Sequence, residues 1–521
     1  MNSNNVHIYK LLIHKNKFKI NVILFSLITG LLSGFIVILY RIAIENANMI
    51  REKIYHDVVK SNLPFGIALM VLISFIISFL VKKEPLISGS GIPQVRALIL
   101  RQIEQNWLKT IVMKFIGGVL SIGAGLSLGR EGPSIQLGAS MGQGVSLLFK
   151  KTKVEERYLI TAGASAGLAA AFNAPLAGVI FALEELHKNF SPIVLLSSMS
   201  AAIMADFISK KFFGLKPIFD FKNISPLPLN NYFLLVIFGI IIGIFGYIFN
   251  VFLIKSLNIY SKFNKVPFSI KMMFPIALSG LLMFILPNVL GGGHNLIVSI
   301  INDNNTLLFL SILFIVKFVF TMISYGSGAP GGIFLPLLAI GAIIGAIYSK
   351  IAISYFGISN IFYKNFIILG MAGYFTAIVR APITGSILIT EMTGSFTHLL
   401  SLITVSIVSY ITAEILGSKP IYEELLDRIL SNKKSIPLKE SNKKTLLEIC
   451  VCTGSELERK KVKEIKWPSN CLLVAIRRGE KEIIPKGNTL IYEGDYLIIL
   501  TDETYAPIVK ESLLKMACSL N

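Results

Sequence analysis

Two acidic residues stand where a carboxylate is expensive to keep. Glu131 lies within Gly129-Arg130-Glu131-Gly132-Pro133, and Glu185 follows Glu184 at the end of a long apolar stretch. A charged side chain in the middle of a membrane helix costs about 2.5–3.5 kcal/mol on insertion scales. A carboxylate retained there invites a functional reading. The run around Glu131 adds a second chemistry. Pro133 suits the first turn of a helix, where no N–H partner is lost, and the glycines before it let backbone N–H groups turn toward one point. Gly332-Ile333-Phe334-Leu335-Pro336 has the same form. Two helix N-termini so arranged present unpaired donors and positive dipole ends, an anion site that needs no lysine or arginine. Neutral donors also suit release, since a full buried cation would hold a halide too tightly. The competing reading is that these glycines make tight helix-helix contacts.

The elements that must position these groups follow from composition. The chain has 521 residues, 53% hydrophobic and only 15% charged, with 50 Lys and Arg against 30 Asp and Glu for a formal charge of +20. A soluble protein is about 25% charged, so this is the composition of a polytopic membrane protein. A nucleic-acid partner would require the basic residues to cluster on a soluble domain, and they do not. The last 90 residues hold 16 basic and 12 acidic residues, which leaves +16 spread through the apolar body. The tail has the composition of a small soluble domain, near the lower limit for folding alone.

Lys10, Lys15, Lys17 and Lys19 precede the first apolar run, near 20–40, which is too long for a signal peptide. Basic residues before a first span place that end in the cytoplasm, and Lys150, Lys151, Lys153 and Arg157 flank another span in the same way. Apolar segments follow near 64–81, 110–126, 158–186, 192–213, 231–255, 272–290, 306–325, 332–355, 365–391 and 397–416. Several can cross a hydrocarbon core of about 30 Å. Others are broken, at Gly129–Pro133, at Asn173-Ala174-Pro175 and at Gly328-Ala329-Pro330-Gly331-Gly332. Broken helices at membrane depth are tolerated only where protein or a wet cavity satisfies the freed backbone groups, and they mark a transport pathway.

The body repeats internally. At an offset of 203, Gly129, Pro133, Gly138 and Gly142 meet Gly332, Pro336, Gly341 and Gly345. At an offset of 207, Gly163, Ala174, Pro175, Gly178 and Glu184 meet Gly370, Ala381, Pro382, Gly385 and Glu391. Duplicated halves with broken helices are a transporter architecture, with the site at their interface. Glu184 and Glu391 recur, which points to scaffolding. Glu131 falls opposite Phe334 and Glu185 opposite Met392, so these two acids belong to one half only.

Gly89-Ser90-Gly91-Ile92-Pro93, Gly129–Pro133, Asn173-Ala174-Pro175-Leu176-Ala177-Gly178, Gly332–Pro336 and Lys419-Pro420-Ile421-Tyr422 stand in the order and spacing of the CLC family of chloride channels and chloride/proton exchangers, which the chain resembles over about 20–430. The resemblance implies a polytopic all-α membrane protein of two inverted repeats with broken helices, assembled as a homodimer with a pathway in each subunit. The repeat itself shows duplication only; the inversion comes from the family. By the same resemblance, Ser90 and Tyr422 are the hydroxyl donors to a central anion, and Ile333 and Phe334 supply backbone N–H groups. Glu131 is the gating glutamate, and Glu185 the internal proton-transfer glutamate of exchangers. Their plainer roles would be a capping carboxylate and a surface acid near a helix end. Ser90 stands where nitrate-preferring relatives often carry proline and where fluoride exchangers carry another residue, so chloride is favoured. Leu335 occupies a variable position in its motif.

Residues from about 445 onward alternate as short strands, at Leu472–Ile476 and Tyr496–Leu500, around a turn at Arg478-Gly479-Glu480. A final helix, about 503–518, is expected to bury Ile508, Leu513, Leu514 and Ala517. Gly454-Ser455, Gly494-Asp495 and this pattern resemble the C-terminal lobe of RCK (TrkA-C) regulatory domains. That implies a small cytoplasmic α+β domain, dimeric and ligand-sensing, with a nucleotide as one candidate ligand and a purely structural dimerisation role as the alternative. All four cysteines lie here and are expected as free thiols in a reducing compartment; Cys450-Val451-Cys452 lacks zinc spacing, so no metal is expected.

The expected organisation is a cytoplasmic N-terminus over 1–19, a transport body over 20–430 with repeats at about 20–213 and 231–417, a linker over 431–444 and a regulatory domain over 445–521, in the plasma membrane with both termini cytoplasmic. The function expected is proton-coupled chloride exchange, with chloride, protons and lipid as partners and no cofactor. A passive chloride channel is the nearest rival, and Glu185 argues against it. An intramembrane hydrolase would use Gly163-Ala164-Ser165-Ala166-Gly167, a G-x-S-x-G match in an Ala/Gly-rich run with no histidine tied to it. A potassium pore would need a T-V-G-Y-G filter, which is absent.

Overall fold

The computed structural model describes residues 3–55, 63–188, 190–219, 224–263, 265–302, 305–433, 444–479, 481–502 and 505–518. The side chains of 3–17 and most of the expected linker, 434–443, lie outside the described residues. The chain forms two compact units, Met1–Leu430 and Ser431–Asn521.

The first unit is helical and built twice. Its first half comprises α1 (Ser3–Ile54), α2 (Leu63–Lys83), α3 (Ile92–Ile99), α4 (Trp107–Gly123), α5 (Glu131–Leu148), α6 (Lys153–Phe172), α7 (Pro175–Phe181) and α8 (Pro192–Phe213). The second comprises α9 (Tyr232–Lys262), α10 (Phe268–Ile285), α11 (His294–Asn302), α12 (Leu307–Gly326), α13 (Phe334–Phe356), α14 (Tyr363–Val379), α15 (Pro382–Thr393) and α16 (Leu399–Ile415), followed by α17 (Ile421–Lys433). The packing repeats with the sequence: α5 lies on α6 as α13 lies on α14, and α1 lies on α8 as α9 lies on α16. Eight of the described helices are long and apolar enough to cross a bilayer. The stretches 158–186 and 365–391 are each two helices, because Ala174-Pro175 and Ala381-Pro382 interrupt them after Asn173 and Arg380, both left-handed. Proline removes one N–H and its ring obstructs a continuing turn.

The small-residue reading holds for part of the repeat. A Cβ on Gly163 would fall 2.1 Å from Gly138 O, and one on Gly370 would fall 2.3 Å from Gly341 O, so each half crosses its broken pair at backbone contact. Ser165 lies in that buried crossing of α6, its hydroxyl donating to Ser198 O at 3.4 Å, so the G-x-S-x-G match is a packing run rather than an exposed turn. Overpacking a core costs typically about 1–3 kcal/mol. Gly163→Val is therefore expected to lower the thermal midpoint in detergent and to broaden the size-exclusion peak, whereas Gly487→Ala, where an added Cβ meets nothing nearer than 3.6 Å, leaves both near wild type.

The helix ends separate scaffold from site. Asn106 caps α4, Thr152 and Glu155 form a capping box on α6, Ser191 caps α8 and Thr306 caps α12. Such caps satisfy N–H groups that otherwise have no intrahelical partner. The N-termini of α3, α5 and α13 carry no side-chain cap of their own.

In the second unit a four-stranded antiparallel sheet runs in the order β1 (Lys444–Cys450), β4 (Tyr496–Asp502), β2 (Cys471–Arg478), β3 (Lys481–Ile483). Helix α18 (Ala506–Cys518) packs on β1. Its buried face is Val509, Leu513 and Ala517, at helical spacing. The expected core residues Ile508 and Leu514 instead face outward, Ile508 64% exposed. The short β3 was not anticipated, since three residues carry too little alternation to read. Buried Asp495 holds Arg478 through two hydrogen bonds of 2.8 Å and accepts a third from Tyr492 N at 2.9 Å. The expectation of four free thiols is corrected: Cys452 and Cys518 form a disulfide with Cα atoms 5.0 Å apart, because Cys452 N donates to Ala517 O and brings the chain after β1 beside the end of α18. Cys450 and Cys471 are free.

Candidate anion site and proton-transfer carboxylates

The two broken segments meet head to head. Gly129 N donates to Gly332 O at 2.6 Å, and Gly332 N returns the bond to Gly129 O at 2.8 Å, an antiparallel bridge that sets the N-termini of α5 and α13 on either side of a local two-fold. The two halves are therefore related by a local two-fold, which the sequence repeat alone could not reveal. Gly331 N donates to Gly89 O at 3.0 Å and brings in the loop ahead of α3. A Cβ on Gly132 would stand 2.3 Å from Ser90 Oγ, so only glycine lets the first turn of α5 lie against that hydroxyl.

Ser90, Glu131, Ile333 and Phe334 are thus gathered at one buried place. Phe334 is wedged among Phe172, Phe181 and Phe375, with ring centroids 5.4, 6.1 and 4.7 Å away, which fixes the start of α13. Glu131 turns back over its own N-terminus. A Cβ on Gly129 would lie 2.2 Å from Glu131 Oε2 and 3.1 Å from Leu335 N, so the carboxylate occupies the space beside the opposing helix start. Arg130 points elsewhere, to Glu45 at 3.2 Å. Tyr422, at the start of α17, is fully buried and within Coulombic reach of both Glu131 and Glu185. Ser90 Oγ and Tyr422 Oη have no hydrogen-bond partner among the described residues, and the Glu131 oxygens have only the backbone N–H groups of Glu131 and Leu335 beside them. Buried polar atoms are normally paired. Ser90 Oγ and the Glu131 carboxylate lie at uncapped helix N-termini, an arrangement that could receive an anion beside a carboxylate.

Glu185 is not in that group. It lies in a six-residue π-helical turn, Ala182–His187, that continues α7. Such turns often occur at functional sites, and here successive carboxylates go to different partners. Glu184 accepts from Ile383 N at 3.3 Å, Thr384 N at 2.8 Å and Thr384 Oγ1 at 2.7 Å, capping α15 from the other half. Its repeat mate Glu391 accepts from Leu176 N at 3.1 Å and Ala177 N at 2.8 Å, capping α7 in return. The scaffold role inferred from their recurrence is what these bonds perform. Glu185, buried, instead faces Arg96 Nη1 at 3.5 Å.

Three basic residues escaped the sequence reading. Lys114 on α4 is fully buried, its ammonium donating to Ile87 O at 2.8 Å and Gly89 O at 2.7 Å, next to Ser90. Lys317 on α12 does the same to Val289 O and Gly291 O, both at 2.8 Å. A site without direct lysine contacts therefore still has two lysines tying down its supporting loops. The signal was present, since these positions are separated by the same offset of 203 as Gly129 and Gly332. Arg96 was missed too, because it has no charged counterpart in the repeat.

The comparisons agree with this geometry. Residues 70–414 match the family model described as voltage gated chloride channel, and residues 446–506 match the TrkA-C domain. The H(+)/Cl(-) exchange transporter ClcA of Vibrio cholerae serotype O1 is 34% identical over 430 residues, 81% of this chain and 92% of that protein. ClcA of Salmonella arizonae is 33% identical over 432 residues, 81% of this chain and 91% of its own length. The crystal structure of a slow cyanobacterial Cl-/H+ antiporter superposes with a TM-score of 0.75 at 31% identity, covering 79% of this chain and 98% of that one. That of a CLC-type fluoride/proton antiporter gives 0.64 at 25% identity, covering 77% and 96%. With inverted halves, paired helix N-termini and relatives of this extent, the chain belongs to the voltage-gated chloride channel (CLC) family and carries a TrkA-C domain behind its membrane body.

Proposed function

We propose that this protein exchanges protons for chloride across the membrane. The observation that carries the reading is the meeting of unpartnered Ser90 Oγ and the Glu131 carboxylate at the uncapped starts of α5 and α13, with the buried, unpartnered Tyr422 hydroxyl in electrostatic contact with Glu131. Chloride binds to the hydroxyls and to the N–H groups of Ile333 and Phe334, with no cation touching it, so it is both held and released. The ionised Glu131 carboxylate competes for the same positive dipole ends. Protonation removes its charge and lets chloride take its place. Glu185 passes protons between Glu131 and the cytoplasm by a route apart from the anion. The relatives named as H(+)/Cl(-) exchangers support this assignment.

The homodimer, the plasma-membrane location and the cytoplasmic placement of both termini belong to the same proposal; the basic residues ahead of the first span support the orientation. The TrkA-C unit is assigned a regulatory role, with a nucleotide as the first ligand class to test. The direct test loads proteoliposomes with chloride, dilutes them into low-chloride medium and follows bath pH. Exchange makes the bath alkaline as chloride leaves and protons enter, whereas a passive channel leaves its pH unchanged. A neutral hydrogen bond contributes about 0.5–1.5 kcal/mol. Tyr422→Phe and Ser90→Ala are each expected to weaken chloride binding by calorimetry two- to about tenfold, with little change in thermal stability.

A further inference from the structure

The surroundings of Glu185 do not end at Arg96. The guanidinium spans two carboxylates, donating from Nη1 toward Glu185 Oε1 at 3.5 Å and from Nη2 to Glu423 Oε1 at 3.0 Å. Lys188, just past the π-helical turn, also pairs with Glu423. The exposures form a gradient, with the side chain of Glu185 2% exposed, Arg96 11% and Glu423 35%. Glu423 and Lys188 border an open cavity of about 390 Å³ that also holds Lys419, Arg380 and Glu414. With both acids ionised, Arg96, Lys188, Glu185 and Glu423 sum to zero charge.

Glu184, adjacent in sequence to Glu185, is committed elsewhere. Three hydrogen bonds at the start of α15 occupy its carboxylate. Glu414 lines the same cavity and is paired with Arg380. Glu423 alone among the described acids shares a guanidinium with Glu185 and meets solvent on its other side.

We propose that Glu423 is the carboxylate through which protons from solvent load Glu185, with Arg96 as the positioning residue that holds the two acids together. The inference rests on the exchange reading given above. A proton from water binds the Glu423 carboxylate, which leaves Arg96 and Lys188 under-compensated. Its transfer through intervening water protonates Glu185 and regenerates ionised Glu423 between its two cations. One O–H bond is broken and one is made, and no other reactant is needed. Glu423 is the more exposed of the two acids, so solvent reaches it first, and its two cations favour its ionised form, so a proton taken up there passes on to Glu185. Arg96 and Lys188 pair with Glu423, and Lys419, Arg380 and Glu414 line the same cavity; the charged groups acting on Glu185 are Lys188, Arg96, Glu423 and Glu184.

The test measures proton and chloride flux together across a pH series in proteoliposomes containing the full chain. Glu423→Gln is expected to cut proton flux by about tenfold or more, a modest share of the roughly 10²–10⁴ that a positioned proton carrier contributes, while chloride continues to pass. The half-maximal pH of the remaining proton flux shifts, and Glu423→Asp restores both rate and profile. Arg96→Lys, which keeps the charge but cannot span two carboxylates, loses proton flux in the same way; Glu414→Gln behaves as wild type. Wild-type proton flux and pH profile in Glu423→Gln or in Arg96→Lys would overturn the proposal while leaving exchange intact. A wild-type protein that moves no protons would overturn the exchange reading, and this one with it.

Discussion

Glu131→Ala protein in liposomes is expected to pass chloride down its gradient and to move no protons against theirs. The carboxylate lies beside Leu335 N at the start of α13, within the group formed by Ser90, Ile333 and Phe334. Tyr422 and Ser90 contribute hydroxyls that do not titrate in the working range, so removing Glu131 removes the group that links proton and anion. Shortening it to alanine leaves the helix starts and both hydroxyls in place, and chloride retains its donors. Chloride flux should remain within about tenfold of wild type, roughly 1.4 kcal/mol in barrier, and should lose its dependence on pH. Proton flux is read from a pH electrode and chloride flux from a silver chloride electrode in the same vessel. Persisting uphill proton movement in Glu131→Ala would remove this residue from the mechanism.

Glu185→Gln should produce the complementary defect, a protein that still carries chloride while its proton flux falls to the leak. Glutamine preserves size and hydrogen-bonding capacity, and Glu185 pairs with Arg96 rather than with the helix starts, so chloride binding by calorimetry should stay close to wild type. The charge balance of the Arg96 cluster does change, and removing one partner of a buried pair typically costs about 3–5 kcal/mol. Arg96 keeps Glu423 at 3.0 Å, which offsets part of that cost. The two variants separate the roles: loss of Glu131 abolishes the pH dependence of chloride movement, and loss of Glu185 interrupts proton supply from one side.

Much of this was legible in the sequence for physical reasons. Gly129–Pro133 and Gly332–Pro336 announce helix starts at membrane depth because proline at the first turn and glycine before it have few other uses there. The constant offset revealed two halves. Inversion remained hidden, since a sequence repeat reads the same whether its second copy is turned over or not; the Gly129–Gly332 bridge and the reciprocal caps by Glu184 and Glu391 disclose the two-fold relation between the halves. The single-copy status of Glu131 and Glu185 marked them for attention, but their separation into an anion-site group and an Arg96 group is tertiary. Lys114 and Lys317 were overlooked because a basic residue in an apolar run invites a loop or snorkelling interpretation, while their actual acceptors, Gly89 O and Gly291 O, lie about two dozen residues away. In the tail, β2, β4 and α18 followed from alternation and period, but the rotation of α18 did not. Val509 and Leu514 differ too little in character to show which one faces the sheet, and only the docking of α18 on β1 decides it.

The central claim is thermodynamic coupling of chloride to protons, and one measurement addresses it most directly. Proteoliposomes containing the full chain are loaded with high chloride at an internal pH already below that of the bath, with potassium and valinomycin holding the voltage at zero, and are then diluted into low chloride. The account predicts that chloride leaving the vesicles drives protons inward against their gradient, so that the bath becomes more alkaline until an uncoupler releases them. Chloride efflux with protons moving only downhill would contradict it and would make this chain a passive chloride pathway.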